Sequence, residues 1–137
     1  MDTKNLISIV APFYNEEDAI NAFHKKITEV VDLIEDTEFE FVCVNDGSQD
    51  GTVRLLAELS ERDARVRVID LSRNFGKEAA LTAGLDESRG DAVIPIDADL
   101  QDPPELIPAL IAKWREGAEV VVAKRVDRMA DSFLKRT

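Results

Sequence analysis

The sequence contains one cysteine, one histidine and one tryptophan among its 137 residues, and these scarcities narrow its chemistry. Cys43 has no second cysteine for an internal disulfide and lies in an apolar run, which predicts a small core residue in a reducing compartment. A single histidine and a distant single cysteine do not supply the ligands that zinc prefers. Six glycines and five prolines are too few for a disordered or fibrous chain, so we expect one globular domain.

Positive charge is also scarce, because 17 lysines and arginines stand against 28 aspartates and glutamates, for a net charge of −11. Nucleic-acid binding needs a basic face, so the composition argues against it. A nucleotide ligand stays compatible, since a divalent cation can bring a diphosphate to an acidic site. The sequence has no run of about 18 apolar residues and no signal-peptide pattern at its start, which predicts a chain that is soluble by itself.

Short apolar runs alternate with longer amphipathic segments along the chain, which is the pattern of an α/β fold. Strands are predicted at residues 6–11, 39–44, 66–71, 92–96 and 119–123. Helices are predicted at residues 17–34, 52–62, 77–87 and 103–115, the last capped by Asp102, opened by Pro103 and ended at Gly117. Because the strands are almost continuously apolar, we expect a mostly parallel sheet with helices on both faces.

Polar clusters follow each of the first four predicted strands, and parallel α/β sheets bind ligands beyond the carboxyl ends of their strands. In residues 12–17, Pro12 is predicted to end the first strand, and Tyr14 offers a flat face and a hydroxyl beside two glutamates. The same residues also suit a plain helix entrance, with Asn15 as the N-cap and the glutamates complementing the helix dipole. Both interpretations stay open for this cluster alone.

The second and third clusters also combine turn residues with groups that suit a nucleotide. In residues 45–52, Asp46 can accept a hydrogen bond from a ribose hydroxyl or a base N–H, and Gly47 permits the turn. A turn followed by a helix cap accounts for the rest of that cluster. In the third cluster, Gly76 and Lys77 at a helix N-terminus suit a phosphate, although their spacing is not that of a P-loop.

The fourth cluster, residues 97–104, is the most informative. Asp97 and Asp99 end a buried strand one residue apart, and two such carboxylates repel each other unless a cation lies between them. In an extended segment, Gln101 would lie on the same side and complete three hard oxygen ligands, which suit Mg²⁺ or Mn²⁺. The alternative interpretation is that both aspartates belong to a solvent-exposed loop with no ligand.

In their order and spacing, the four clusters resemble family 2 glycosyltransferases with the GT-A fold, and in particular the polyprenyl-phosphate glycosyltransferases. The most diagnostic stretches are residues 72–81 and 97–105. The resemblance implies a UDP- or GDP-sugar donor, a polyprenyl-phosphate acceptor, Mg²⁺ or Mn²⁺ on the diphosphate, and inversion at the anomeric carbon. It divides the chain into a nucleotide-sugar-binding catalytic domain at 1–123 and, at 124–137, the start of an acceptor or juxtamembrane segment.

The resemblance also implies a role for each residue that matches a family motif. The residues implied in nucleotide binding are Pro12, Tyr14, Glu16, Asp46, Gly76, Lys77, Asp97, Ala98 and Asp99. The implied metal ligands are Asp97, Asp99 and Gln101. The implied catalytic residues are Asp97, Asp99 and Arg125, of which the arginine is expected to grip the acceptor phosphate.

Two features depart from the family pattern. Asn45 stands where many relatives have a second aspartate, which weakens the role implied for Asp46. The chain stops at Thr137, where relatives continue into amphipathic and membrane-spanning helices. We therefore expect a truncated part of a protein that works at the cytoplasmic face of a membrane, in an oligomeric state that the sequence leaves open.

Three other functions fit parts of the pattern. One is a nucleotide-binding regulatory module without catalysis. Another is a glycosyltransferase whose acceptor is a saccharide hydroxyl, which would need a carboxylate base such as Asp102. The third is a Mg²⁺-dependent phosphotransfer domain of flavodoxin-like fold, but such a domain needs acidic residues directly after the first strand, where this chain has Pro12.

Overall fold

The computed structural model describes residues 4–101 and 103–117. Strands and helices alternate along this part of the chain, as β1 (Asn5–Phe13), α1 (Ile20–Val31), β2 (Thr37–Asn45), α2 (Thr52–Arg62), β3 (Val66–Asp70), α3 (Lys77–Glu87), β4 (Ala92–Pro95) and α4 (Leu106–Arg115). The strands form a parallel sheet in the order β3-β2-β1-β4. The predicted α/β fold with a parallel sheet is therefore confirmed, while the strand predicted at 119–123 lies outside the described residues.

Helices cover both faces of the sheet, because alternate residues of the central strands point to opposite sides. Facing α1, α2 and α4, the larger core contains Ile9 of β1, Phe41 of β2 and Phe23 of α1. On the other face, Val10 and the β2 valines pack against α3. Burial on both faces explains the unbroken apolar runs at residues 9–13 of β1 and 41–44 of β2.

Helix α3 lies close to the sheet because Gly84 faces it. A Cβ added at Gly84 would overlap Val10 Cγ1 and lie 3.0 Å from Val44 Cγ2. Ala80 and Leu81 are buried in the same interface. The bounds predicted for α3 and α2 are both confirmed, and the close packing fixes where the first turn of α3 lies relative to the ends of β1 and β2.

Pro12 lies inside β1, so the prediction that it ends the strand is wrong. It pairs in register with Val44 of β2, and β1 continues to Phe13. The Val10 carbonyl accepts a hydrogen bond from the Ile96 N–H on the β4 side. Backbone groups of residues two apart point to the same side of a strand, so those of Pro12 also point toward β4. Pro12 therefore turns its missing N–H toward β4, whose pairing with β1 has already stopped at Pro95.

Two helices begin later than predicted. Helix α1 starts at Ile20 with Ala19 at the N-cap, and Asn15 instead adopts a left-handed backbone with φ of 51°. Helix α4 starts at Leu106. The two prolines before it lie in turns, in which the Pro103 carbonyl accepts a hydrogen bond from the Leu106 N–H and the Pro104 carbonyl accepts one from the Ile107 N–H. Since a proline disfavours helical backbone in the residue before it, Pro103 cannot begin the helix ahead of Pro104.

The predicted end of α4 is confirmed. The helix stops at Arg115, and Gly117 follows with φ of 106°, donating its N–H to the Trp114 carbonyl. Asp102, the predicted cap, lies outside the described residues. Within the described ranges, no helix is both long and apolar enough to cross a bilayer.

Candidate active site

A cleft of about 380 Å³ opens at the carboxyl edge of the sheet. All four polar clusters contribute to it, and its lining residues are Pro12, Phe13, Tyr14, Glu16, Asp46, Asn74, Gly76, Lys77, Asp97, Ala98 and Asp99. Every residue that the sequence implied in nucleotide binding is therefore in this one cleft. Gln101 is exposed and is not among the lining residues, and Arg125 lies outside the described part of the chain.

Asp46 is buried and holds the loop that leads into α3. Its Oδ1 accepts a hydrogen bond from the Phe75 N–H at 2.8 Å. Its Oδ2 accepts from the Gly76 N–H at 3.1 Å and from Asn74 Nδ2 at 3.2 Å. Because a buried carboxylate is stable only when it is hydrogen-bonded, these three donors account for its burial. The sequence did not predict this contact, since nothing local relates Asp46 to residues about 30 positions later.

The turn after β2 lies directly against the same loop. A Cβ at Gly47 would overlap the backbone of Arg73 and Asn74, and Gly47 has φ of 67°. Both the contact and the left-handed backbone require glycine at this position. The turn that the sequence predicts at Gly47 therefore also brings the second and third clusters together.

Asn45, the departure from the family pattern, has a definite partner. Its Nδ2 donates to Asp70 Oδ1 at 2.8 Å, and its Oδ1 accepts from the Ser48 N–H at 3.3 Å. An aspartate at this buried position would place its carboxylate against Asp70 and repel it. The amide is therefore the side chain that fits beside Asp70, and the adjacent Asp46 keeps its own contacts.

The first cluster is tied to the segment that leads into α2. The N–H of Asn15 donates to Ser48 Oγ and that of Glu16 to Thr52 Oγ1, each at 2.9 Å. The Gln49 N–H donates in turn to Asn15 Oδ1 at 2.9 Å. Asn15 thus joins two loops and does not cap α1, so the helix-entrance interpretation is wrong for it. These bonds set the backbone beside Tyr14, whose half-exposed side chain lines the cleft.

The acidic segment after β4 is a turn, so the predicted extended arrangement is wrong. The Leu100 N–H donates to the Asp97 carbonyl at 3.1 Å, and Leu100 has φ of 57°. The Gln101 N–H donates to Asp99 Oδ1 at 3.3 Å. The left-handed residue breaks the alternation on which the alignment of three side chains depended. Asp97 and Asp99 line the cleft, and the backbone turns before Gln101.

Negative charge predominates in the cleft. Lys77 Nζ lies 2.5 Å from Asp97 Oδ1. Burial raises the pKa of Glu16, the charges of Asp99 and Asp50 raise it further, and Lys77 opposes them. Among the residues that the structure describes, four carboxylates, those of Glu16, Asp46, Asp97 and Asp99, line the cleft together with one cation, Lys77, so negative charge is in excess there. The cleft therefore favours a ligand that arrives with a cation.

Asp97 and Asp99 fit a divalent cation that is shared with a ligand. Within residues 4–101 and 103–117, no group of three or more His, Cys, Asp or Glu side chains could hold a metal ion. Mg²⁺ is commonly bound by one or two carboxylates together with the phosphates of a substrate, and it keeps several waters. Asp97 and Asp99 match that pattern, whereas a closed protein cage is not formed by the described residues.

Comparison with known proteins identifies the family. The family model of Glycosyl transferase family 2 matches residues 8–137, and the chain belongs to this family. The chain is 53% identical over 130 residues to a bactoprenol glucosyl transferase of Shigella phage SfX, covering 95% of this chain and 42% of that protein. It is 44% identical over 133 residues to the undecaprenyl-phosphate 4-deoxy-4-formamido-L-arabinose transferase of Pseudomonas aeruginosa, covering 96% of this chain and 39% of that protein.

A solved structure shows the same fold. A mannosyltransferase from Pyrobaculum calidifontis in complex with GDP-Man and Mn²⁺ superimposes with a TM-score of 0.71 at 27% identity, covering 86% of this chain and 34% of that one. The family and the GT-A fold that the sequence motifs imply are thus confirmed. The chain spans between 39% and 42% of the length of the two curated relatives.

Proposed function

We propose that this chain is the donor-binding, catalytic part of a glycosyltransferase that moves a sugar from a UDP- or GDP-sugar to a polyprenyl phosphate. The observation that carries the proposal is the single cleft that collects Tyr14, Asp46, Lys77, Asp97 and Asp99 at the carboxyl edge of the sheet. One relative is named as a bactoprenol glucosyl transferase and another as an undecaprenyl-phosphate transferase, which supports a polyprenyl-phosphate acceptor. Such an acceptor would place the whole protein at a membrane, on its cytoplasmic face.

The lining residues suggest how the donor would bind. Tyr14 and Pro12 would flank the base, because an aromatic face and a rigid ring suit a flat heterocycle. Glu16 and Asp46 offer acceptors for a ribose hydroxyl or a base N–H. The space beside Gly76 is open at the entrance of α3, since nothing lies within 4 Å of where its Cβ would be, and the helix N-terminus that follows would suit a phosphate.

The reaction we propose is a single displacement at the anomeric carbon. An oxygen of the acceptor phosphate would form the new bond while the bond to the diphosphate breaks, which inverts the configuration. A divalent cation, Mg²⁺ or Mn²⁺, would neutralise the charge that develops on the leaving diphosphate. Asp97 and Asp99 would hold it, with Gln101 as a further candidate ligand. A phosphate acceptor is already an anion, so Arg125 would need to position it but no general base is required.

The experiment that tests the donor site is thermal unfolding with nucleotides. We expect Mn²⁺ together with UDP or GDP to raise the Tm of the wild-type chain more than either component alone. Asp99→Asn should remove the part of this increase that depends on Mn²⁺. The matched control is Asp86→Asn, which changes an exposed aspartate at the far end of α3 and should respond as wild type does.

The outcome also identifies the base, because the nucleotide with the larger stabilisation is the one that the cleft accommodates. At a ligand concentration 100 times Kd, binding stabilises the folded state by about 2.7 kcal/mol, which is easily measured. Equal stabilisation of wild type and Asp99→Asn by Mn²⁺ and nucleotide would contradict the metal assignment. No stabilisation by any nucleotide would contradict the donor site itself.

A further inference from the structure

The ion pair between Lys77 and Asp97 occupies the position where the proposed function needs a cation. Their charged atoms are 2.5 Å apart, and the Asp97 side chain is 18% exposed while that of Lys77 is 49% exposed. The pair thus links a largely buried carboxylate to an ammonium group that can reach solvent. Lys77 belongs to α3 and Asp97 follows β4, so the contact joins the third polar cluster to the fourth.

Helix stability does not explain a lysine at this position. Lys77 is the first residue of α3, where the helix dipole presents partial positive charge and disfavours a cation. No side chain caps this end of the helix. The lysine therefore owes its favourable electrostatics to acidic groups across the cleft, of which Asp97 is in direct contact.

The loop before α3 directs Lys77 into the cleft. Asp46 holds the N–H groups of Phe75 and Gly76, and Gly76 has φ of 103°, a backbone that side chains rarely adopt. This fixed turn sets the direction in which the helix leaves the loop. The fold therefore fixes the backbone of Lys77 at the edge of the cleft, from which its side chain reaches Asp97.

We propose that Lys77 is an internal counter-ion of Asp97, and that the donor and its metal displace it together. This inference rests on the proposed function, because it assumes a nucleotide diphosphate in the cleft. With the cleft empty, the ammonium group neutralises Asp97. When a divalent cation takes Asp97, the ammonium group turns to the diphosphate, which offers it a new anion. Both charges stay paired, so metal and diphosphate favour each other's binding.

The proposal predicts opposite effects of one substitution. Removing the ammonium group frees Asp97, so Lys77→Met should bind Mn²⁺ alone roughly three- to tenfold more tightly than wild type. The same variant should bind GDP or UDP without metal roughly tenfold more weakly, because Asp97 then has no counter-ion and repels the diphosphate. A residue that only supported the loop would weaken both, and a simple phosphate contact would leave the affinity for Mn²⁺ unchanged.

Titration of free Mn²⁺ by electron paramagnetic resonance, with and without nucleotide, measures these affinities directly. Lys77→Arg keeps the charge and should behave as wild type does, and Lys77→Gln repeats the test should the methionine variant unfold. In an Asp97→Asn background, Lys77→Met should no longer change the affinity for Mn²⁺, because the partner is gone.

The results separate the two claims. Weaker or unchanged binding of Mn²⁺ by Lys77→Met would overturn the counter-ion role, whatever nucleotide binding shows. Tighter binding of Mn²⁺ by Lys77→Met, with no nucleotide bound by any variant, would instead support the pairing and overturn the proposed function. The full proposal requires three results in Lys77→Met. The variant must bind Mn²⁺ more tightly and nucleotide more weakly than wild type, and Mn²⁺ and nucleotide must increase each other's affinity less than they do in wild type.

Discussion

Replacing Gly84 with alanine tests how closely α3 must lie against the sheet for the cleft to form. The added methyl group would overlap Val10 Cγ1 and lie 3.0 Å from Val44 Cγ2. Both valines are 1% exposed or less, so neither has open space into which it can move. The helix itself must therefore shift outward, or one of the valines must leave its preferred rotamer.

The expected size of the effect follows from two opposing contributions. Alanine is favoured over glycine in a helix by about 1 kcal/mol. Overpacking a close-packed interior costs about 1–3 kcal/mol. Because the overlap with Val10 is severe and neither valine has space to move, we take the upper part of that range, about 2–3 kcal/mol. We therefore expect the free energy of unfolding to fall by about 1–2 kcal/mol, which lowers the Tm by about 3–6 °C in a chain of this size. Because α3 begins at Lys77, a shifted helix should also weaken nucleotide binding.

Urea denaturation of a small set of variants measures both contributions. Ala79→Gly, at an exposed position of the same helix, reports the propensity difference alone. Val10→Ala should destabilise by itself, but in the double variant the new methyl group occupies the space that Val10 Cγ1 has left. We expect a favourable coupling of about 1 kcal/mol between the two changes. A Gly84→Ala variant as stable as wild type, or strictly additive effects in the double variant, would refute the packing argument.

Two further predictions concern buried carboxylates. Asp46→Asn should loosen the loop before α3, because its amide group offers only one oxygen to three donors. Limited proteolysis should then cut this loop faster than in wild type, and an unchanged rate of cleavage would contradict the anchoring role. Burial disfavours the charge of Glu40, but bonds from the Arg89 N–H, Ser8 and Arg67 outweigh it and lower its pKa. A lowered pKa stabilises the fold above the ordinary range of the carboxyl group and loses that effect as the pH falls. Glu40→Gln should therefore reduce stability at pH 7 more than at pH 4, and equal losses measured by urea denaturation at both pH values would refute this assignment.

The sequence predicts most of the fold because the apolar patterns of strands and helices arise from local features of the chain. Alternation of apolar runs and amphipathic segments places the four described strands and helices, and the bounds of α2 and α3 agree with the prediction. The errors occur where a neighbouring element decides. Pro12 is tolerated inside β1 because β4 stops earlier, and Pro104 delays α4 by restricting the residue before it.

The site is predicted less completely, because its geometry depends on contacts between distant loops. The strand-end position of each cluster is readable from the sequence, since parallel strands share one carboxyl edge. The left-handed backbone of Leu100 is not readable, because leucine rarely adopts it, and it turns the chain before Gln101. Asp70, which pairs with Asn45, and the partners of the Asp46 side chain lie 25 to 30 residues away, so no local pattern shows them.

The contacts of Asp46 also limit how it could bind a nucleotide. A carboxylate has about four sites for hydrogen bonds, and three are used here, two on Oδ2 and one on Oδ1. One further donor, a ribose hydroxyl or a base N–H, could therefore add at Oδ1 without breaking the loop contacts. The same side chain would then both hold the loop that leads to Lys77 and accept a hydrogen bond from the nucleoside. Asp46→Asn would remove both functions, whereas Lys77→Met leaves the loop contacts intact. The two variants therefore distinguish the loss of the loop contacts from the loss of the positive charge of Lys77.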